Sequence, residues 1–459
     1  MTLPDGPRMP SLLQTIQLIA QPTKFLDHCG QRYGDTFTLR VLGLNSPPVV
    51  FFSSPQAIQA IFKLPSCQLD FRKATHVFEP LMGKNSIILQ EGDSHQRQRQ
   101  LMMPPFHGDR LRGYGQLICD ITKHVTANWQ VGSTFSIHKV MPEITLKIIL
   151  QVVFGLKPGP RCQKLEKLLS ALLEDVTTPW YSSLFFFPPL QKDLGAWSPW
   201  GNFLLRREQI DGLIYAEIQE RRLENDNSRT DILSLLLSAR DSNGQQMSDT
   251  ELRDQLVSLL LLGYETTAAS LAWAFYWILS SPSVLERLQI ELKALGQKPE
   301  PNAIAESPYL KAICAETLRI NPIALICTPR MTKETLSVAG YEIGAGTILI
   351  PCIYLAHQRE EVFSQPSFFK PERFLENKFS PYEYLPFGGG ERGCIGMAFS
   401  MLEMKLVLAT ILSGFELELA EKLPVHPVRR GITIVPSGGV GVTVTGLSTE
   451  RSAGMCLKF

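Results

Sequence analysis

The stretch from Ser248 to Ser281 constrains the fold more than any other. It opens with Ser248-Asp-Thr-Glu251, a pattern in which a hydroxyl and a carboxylate three residues apart satisfy each other's free backbone N–H groups at a helix start. An apolar helical pattern then runs to Ser281, where Pro282 stops it. Such a rod is about 50 Å long at 1.5 Å per residue. Between Leu256 and Leu279 only Glu265 is charged, so the segment must cross either a membrane or a large protein core. It stands alone in the chain, and its one charge is central, where a bilayer tolerates it least. The expectation is a buried helix through a large soluble domain.

At 459 residues the chain can enclose such a helix, and no Ser/Gly linker or charge run divides it. A single domain over 1–459 is predicted. A net charge of +1 with 19% charged residues gives no global basic field for nucleic acid. The nine cysteines are scattered and lack CxxC or Cys/His zinc spacing, which suits a reducing cytoplasm. Met1 to Pro10 has neither the apolar core of a signal peptide nor a membrane anchor, so a soluble cytoplasmic protein is expected.

Along the chain, Ser11 to Tyr33 reads as helix broken at Pro22, and residues 35–42 and 48–52 read as a hairpin with its turn at Gly43 to Pro47. Ser54-Pro55 caps and starts a helix through Phe62. Pro142 to Gly155 is apolar nearly all round, Asp231 to Arg240 is amphipathic, and Pro308 to Asn321 is a helix ended by Pro322. Pro179 to Leu190 and Trp197 to Trp200 concentrate aromatics and prolines without periodicity, which predicts a loop that folds back as a satellite core or offers apolar surface. Leu336 to Ile353 reads as a hairpin or meander, and the runs at Gly431 and Gly441, around Pro436-Ser-Gly-Gly439, read as another hairpin able to reach a pocket. The fold class is mainly α (α+β) with a smaller β-rich region.

Tyr384-Leu-Pro-Phe-Gly-Gly-Gly-Glu-Arg-Gly-Cys-Ile-Gly396 precedes an apolar helical pattern, so Cys394 sits at or just before a helix N-terminus, where a thiolate is favoured. Such a stretch is also an ordinary tight turn with a small core cysteine. Gly388-x-Gly390-x-x-Gly393 fits a dinucleotide fingerprint too, with Glu416 about 20 residues on, but Pro381 and Pro386 stand where a buried strand should lead in. Turn, nucleotide loop and metal thiolate remain open on these residues alone. Elsewhere, Gly263-Tyr-Glu-Thr-Thr267 puts an acid and two hydroxyls in mid-helix, which costs free energy unless they are paired or useful. His95, Arg99 and Met102 share one helix face, by itself a solvated basic helix. Glu316-x-x-Arg319 is by itself a weak surface pair.

Phe387-x-x-Gly390-x-Arg392-x-Cys394-x-Gly396 matches the haem-binding signature of the cytochrome P450 family at all five fixed positions. His95-x-x-x-Arg99, Glu265-Thr266, Glu316-Thr-Leu-Arg319 and Pro371-Glu-Arg-Phe374 resemble further motifs of that family, in its order and across essentially the whole chain. The resemblance implies a mainly helical triangular prism, with haem b between the Glu265 helix and the helix after Cys394. Cys394 would be the axial thiolate, which pushes electron density onto iron. Phe387 and Gly396 would shape its loop. His95, Arg99 and Arg392 would meet the haem propionates, with Arg330 as a second propionate contact, since an Arg fork pairs two carboxylate oxygens. Thr266 would hydrogen-bond dioxygen and Glu265 would feed protons. Glu316, Arg319 and Arg373 would form a buried structural network. Leu262 departs from the usual Ala or Gly and would narrow the space beside the haem; His357 is given no role.

The implied activity is monooxygenation, the insertion of one atom of O2 into a C–H bond. Pro381 to Phe387 resembles cyanobacterial members linked to long-chain fatty acids, related lipids or terpenoids. A lid at Phe185 to Phe187 and the run Leu259 to Leu262 fit an apolar pocket, and that lid could touch a membrane surface. No flavin, nicotinamide or iron–sulfur motif follows the haem region, so no fused reductase is expected. Electrons would come from a separate ferredoxin and an NADPH-linked reductase, docking behind Cys394 near Arg97 and Lys405 on a monomer. The alternatives are a haem-thiolate isomerase or dehydratase, a peroxide-using hydroxylase, and a non-catalytic haem sensor. Relatives of the first two kinds lose the acid–Thr pair, which is intact here.

Overall fold

In the computed structural model the long apolar segment is one helix, Asp249–Ser280. The structure describes every residue except 1–2, 42–45, 157–158, 179–180, 183, 187, 225, 227, 422–423 and 448–459. Ser248 Oγ accepts from the Glu251 N–H at 3.3 Å and Glu251 Oε2 accepts from the Ser248 N–H at 2.8 Å, so the capping box closes. The most apolar window of the helix is 78% buried inside the protein. It therefore runs through a core, as its central Glu265 requires.

Ile137–Phe154 packs along that helix and is itself buried over most of its length. It begins five residues before Pro142, so the proline lies inside the helix and removes one i→i−4 bond of its second turn, a cost the burial of the helix must offset. Gly263 of the long helix faces Ile149: a Cβ there would stand 3.0 Å from Ile149 Cδ1. The glycine thus lets the two helices approach.

The β-rich region contains a five-stranded sheet of β1 (Thr36–Leu39), β2 (Val49–Phe52), β3 (Leu69–Asp70), β5 (Arg330–Thr332) and β8 (Ile348–Pro351), ordered β1-β2-β8-β5-β3. The expected β1–β2 hairpin pairs Thr36 with Phe52; its turn lies partly outside the described residues. The 336–353 region divides: β6 (Leu336–Val338) and β7 (Tyr341–Ile343) form a hairpin, while β8 leaves to lie parallel to β2. Of the C-terminal strands, β10 (Pro427–Arg430) pairs with β11 (Thr433–Pro436). The last strand, β12 (Gly441–Leu447), pairs instead with β4 (Thr134–Ser136) and β9 (Phe415–Leu419). The two runs read as one hairpin belong to different sheets, because Gly438 and Gly439 turn the chain away at φ 70° and 81°.

Glu316 and Arg319 are wholly buried. Arg319 donates to both Glu316 oxygens at 2.7 and 2.8 Å, and Arg373 Nε adds a third bond at 3.1 Å. Arg319 Nη1 also reaches the His357 carbonyl at 2.9 Å. His357, assigned nothing from sequence, is fully buried, and its Nε2 accepts the Leu385 N–H at 3.0 Å. That bond ties the network to the chain entering the Cys394 loop.

Candidate active site around Cys394

The Cys394 loop closes on itself: the Cys394 N–H donates to the Phe387 carbonyl at 2.9 Å. Gly388 and Gly390 hold φ of 68° and 65°, which glycine adopts freely. A Cβ on Gly389 would stand 2.3 Å from the Phe62 ring. The glycines thus serve the turn and its packing on Phe62. The helix Met397–Gly414 begins three residues after Cys394, and the backbone N–H groups of Gly396 and Met397 favour the thiolate. Burial pushes the thiol pKa up, against those donors and nearby Arg99. Cys394 nevertheless exposes surface. Both observations hold if that surface opens on a space inside the protein, since a thiol facing bulk water would not be raised by burial.

Three guanidiniums and an imidazole gather beside the loop. Arg99 Nη1 donates to the Gly393 carbonyl at 2.8 Å. Arg392 lies with its guanidinium carbon 3.9 Å from the Phe71 ring centre, and Arg330 sits 5.6 Å from the same ring and 5.1 Å from Phe62. His95 is buried, and burial together with Arg392 and Arg99 pulls its pKa down to about 4. Burial likewise lowers Arg392 to about 10 and lowers Arg99 and Arg330. Arg392 Nε and Nη2 and Arg330 Nε are buried without a hydrogen-bond partner. Orphaned donors of this kind are expensive unless an anion completes them. Two propionates beside a thiol at a helix N-terminus are such an anion set, so the residues fit a haem. Phe71, which carries two of the guanidiniums, stood out in no sequence pattern.

Across the site the long helix loses its complete burial: Leu259, Leu262, Gly263 and Thr266 keep accessible surface although buried residues surround them in sequence. Thr266 Oγ1 donates to the Leu262 carbonyl at 2.7 Å. The next residue, Thr267, meets Ser400 Oγ at 3.2 Å, tying the long helix to the one that follows Cys394. Glu265 points elsewhere. Its Oε1 lies 3.7 Å from Arg430 Nε on β10 and has no hydrogen-bond partner. Burial pushes its pKa up to about 7, with Arg430 and Thr433 pulling the other way. Arg430 also contacts His138 Nε2 at 2.7 Å. Neither Arg430 nor Thr433 carries a sequence signal; both reach Glu265 only through tertiary structure.

The aromatic stretch before the helix Pro199–Glu224 folds back in part: Phe185 packs on Trp200 and Phe203 with ring centres 5.7 and 5.2 Å apart, while Trp197 is 96% exposed. Phe187, Pro179 and Trp180 lie outside the described residues. The docking cations expected from sequence are not free. Arg97 pairs with Asp241 at 2.6 Å and Glu251 at 2.7 Å, and Lys405 donates to the Ala305 carbonyl.

The family model described as Cytochrome P450 matches residues 3–440. Two Mycobacterium tuberculosis proteins, named "Putative cytochrome P450 135B1" and "Putative cytochrome P450 135A1", are 34% and 32% identical to this chain. The first match covers 97% of this chain and 92% of the relative, the second 95% and 94%. The solved structure of a retinoic acid-bound cyanobacterial CYP120A1 superposes with a TM-score of 0.82 at 23% identity, over 96% of this chain and 99% of that one. The cytochrome P450DA haem domain gives 0.81 at 21%, over 96% and 97%. This chain therefore belongs to the cytochrome P450 family, the haem-thiolate monooxygenases, and haem is its cofactor.

Proposed function

We propose that this protein hydroxylates an apolar, lipid-like molecule, a long-chain fatty acid or a related lipid or terpenoid. The carrying observation is the accessible apolar surface at Leu259 and Leu262 on an otherwise buried helix. The CYP120A1 neighbour supports the reading, because retinoic acid is an apolar chain ending in a carboxylate.

In this reading Cys394 ligates the haem iron, and its loop is shaped by Phe387 and Gly396. His95, Arg99, Arg330 and Arg392 receive the propionates; His95 does so as a neutral donor. Bound haem supplies the activation of O2. The chain's own part is to hold protons and exclude water. Thr266 offers a hydroxyl at the helix surface, and Glu265, with a pKa of about 7, holds a proton on the Arg430 side of the helix and must turn from Arg430 to pass it on. Leu262 fills space that a smaller residue would leave open.

The chain acts as a single-domain monomer and takes electrons from a separate ferredoxin and its NADPH-linked reductase. Their docking place is the cleft of about 540 Å³ lined by Gln96, Arg99, Gln100 and Met103, since Arg99 also touches the loop at Gly393. The test is a screen of fatty acids, alkanes, terpenes and retinoids by haem spin-state shift, followed by O2 and NADPH consumption with a reconstituted carrier. Hydroxylated product from a lipid-like ligand is expected. Binding without O2 consumption would move the assignment to an isomerase, a dehydratase or a sensor.

A further inference from the structure

A second cleft, about 600 Å³ in volume, lies where the segment His76–Asn85, the helix Pro199–Glu224 and the start of the long helix meet. Its acids are all engaged. Asp254 accepts from Asn85 at 2.9 and 3.0 Å and from Arg253 at 2.7 Å. Asp211 accepts from Arg253 Nε at 2.7 Å, and Glu79 pairs with Arg72 at 3.3 Å. Arg253 is likewise taken up by Asp211 and Asp254, whereas among the described residues the side chains of Arg207 and Lys84 are not so engaged. Arg207 makes no hydrogen bond among the described residues, its buried Nε has no partner, and it meets Asp211 Oδ2 only at 3.7 Å. Lys84 is exposed at the same cleft, and burial holds the Arg207 pKa down, so an anion arriving there relieves a cost already present.

The cleft adjoins the same long helix that carries the accessible apolar surface. Twelve residues separate Asp254 from Thr266, about 18 Å at 1.5 Å per residue. Ile87, Ile88, Leu259 and Leu262 keep accessible surface along that interval. An extended chain advances roughly 1.2 Å per bond, since three backbone bonds span 3.3–3.6 Å. About fifteen bonds therefore bridge the cleft and the haem side of the helix.

We propose that Arg207 and Lys84 receive the carboxylate of the substrate, which makes it a free long-chain acid of about sixteen carbons oxidised toward the end far from its carboxylate. The inference rests on the apolar-substrate reading above. The experiment titrates holoprotein with hexadecanoic acid and with hexadecan-1-ol, reading the haem spin state, and maps the product of the acid. The acid should bind at least about tenfold tighter than the alcohol, as expected for hydrogen bonds to a charged group. Lys84→Gln/Arg207→Gln should erase that preference and spread hydroxylation along the chain, and Arg207→Lys should restore part of it. Equal binding of acid and alcohol by the natural protein, or an unchanged preference and product in the double variant, overturns the carboxylate site while leaving an apolar substrate in place. If neither ligand binds, the long-chain acid is overturned, and the spin-state screen across terpenes and retinoids decides the apolar reading on its own.

Discussion

Glu265 Oε1 stands 3.7 Å from Arg430 Nε, close enough for attraction and too far for a hydrogen bond. A buried carboxyl so loosely paired keeps a proton more readily than an exposed one, and its pKa rises to about 7.

The consequence for stability has a definite sign. A carboxyl raised from 4.5 to about 7 on folding binds protons more tightly in the native state. Its contribution is fully present below pH 4.5 and is lost as pH rises through 7, about 3 kcal/mol in all by linkage. Glu265→Gln should remove that slope. Thermal melts of both proteins at intervals from pH 4.5 to 8 check it; parallel curves would contradict the burial argument.

Thr266→Ala should leave haem content and ligand-induced spin shifts unchanged while diverting electrons from product to hydrogen peroxide. Among the described residues the hydroxyl bonds only the Leu262 carbonyl, at 2.7 Å, a bond within the helix whose loss costs little structure. The ratio of product to NADPH consumed is the measurement, and unchanged coupling would remove Thr266 from oxygen chemistry.

The long helix, its capping box and the cysteine at a helix start were legible in the sequence because each rests on local spacing: i to i+3 for the cap, an apolar period for the helix, three residues from Cys394 to Met397. The propionate cluster was legible only through motif resemblance, since His95 and Arg392 lie 297 positions apart by their numbers. Phe71 beneath two guanidiniums, Arg430 beside Glu265 and His357 beneath the Cys394 loop were not legible. Their roles arise from tertiary contacts with no periodicity. Arg97 shows the converse error: a basic residue on a helix reads as free until its acids arrive from residues 241 and 251.

Glu316→Ala should destabilise the fold severely. Arg319 would keep its charge at 0% exposure with its fork-to-fork partner gone, and Arg373 would lose its bond as well. Stranding a buried charge typically costs about 3–5 kcal/mol, far more than an exposed pair is worth. Denaturant unfolding gives the loss directly. Asp109→Ala, which breaks only a largely exposed pair with Arg112, is the control and should cost less than about 1 kcal/mol.

Haem retention should follow the guanidinium cluster and its aromatic support. Arg392→Gln removes a charge whose Nε and Nη2 have no hydrogen-bond partner, Nε meeting Glu391 only at 3.7 Å, so its main effect should fall on the group those donors await and not on the fold. Losing charge-assisted bonds of this kind should speed haem transfer to a scavenger protein by about tenfold or more. Phe71→Leu leaves both guanidiniums charged but takes away the ring 3.9 Å beneath Arg392 and 5.6 Å from Arg330. A cation–π contact worth about 1 kcal/mol predicts a smaller acceleration, roughly fivefold. Leu349→Ala, in the same apolar cluster as Phe71, separates packing from positioning. It should lower the melting temperature at least as much as Phe71→Leu while leaving haem transfer unchanged. Equal acceleration by Leu349→Ala would mean that Phe71 acts through packing alone.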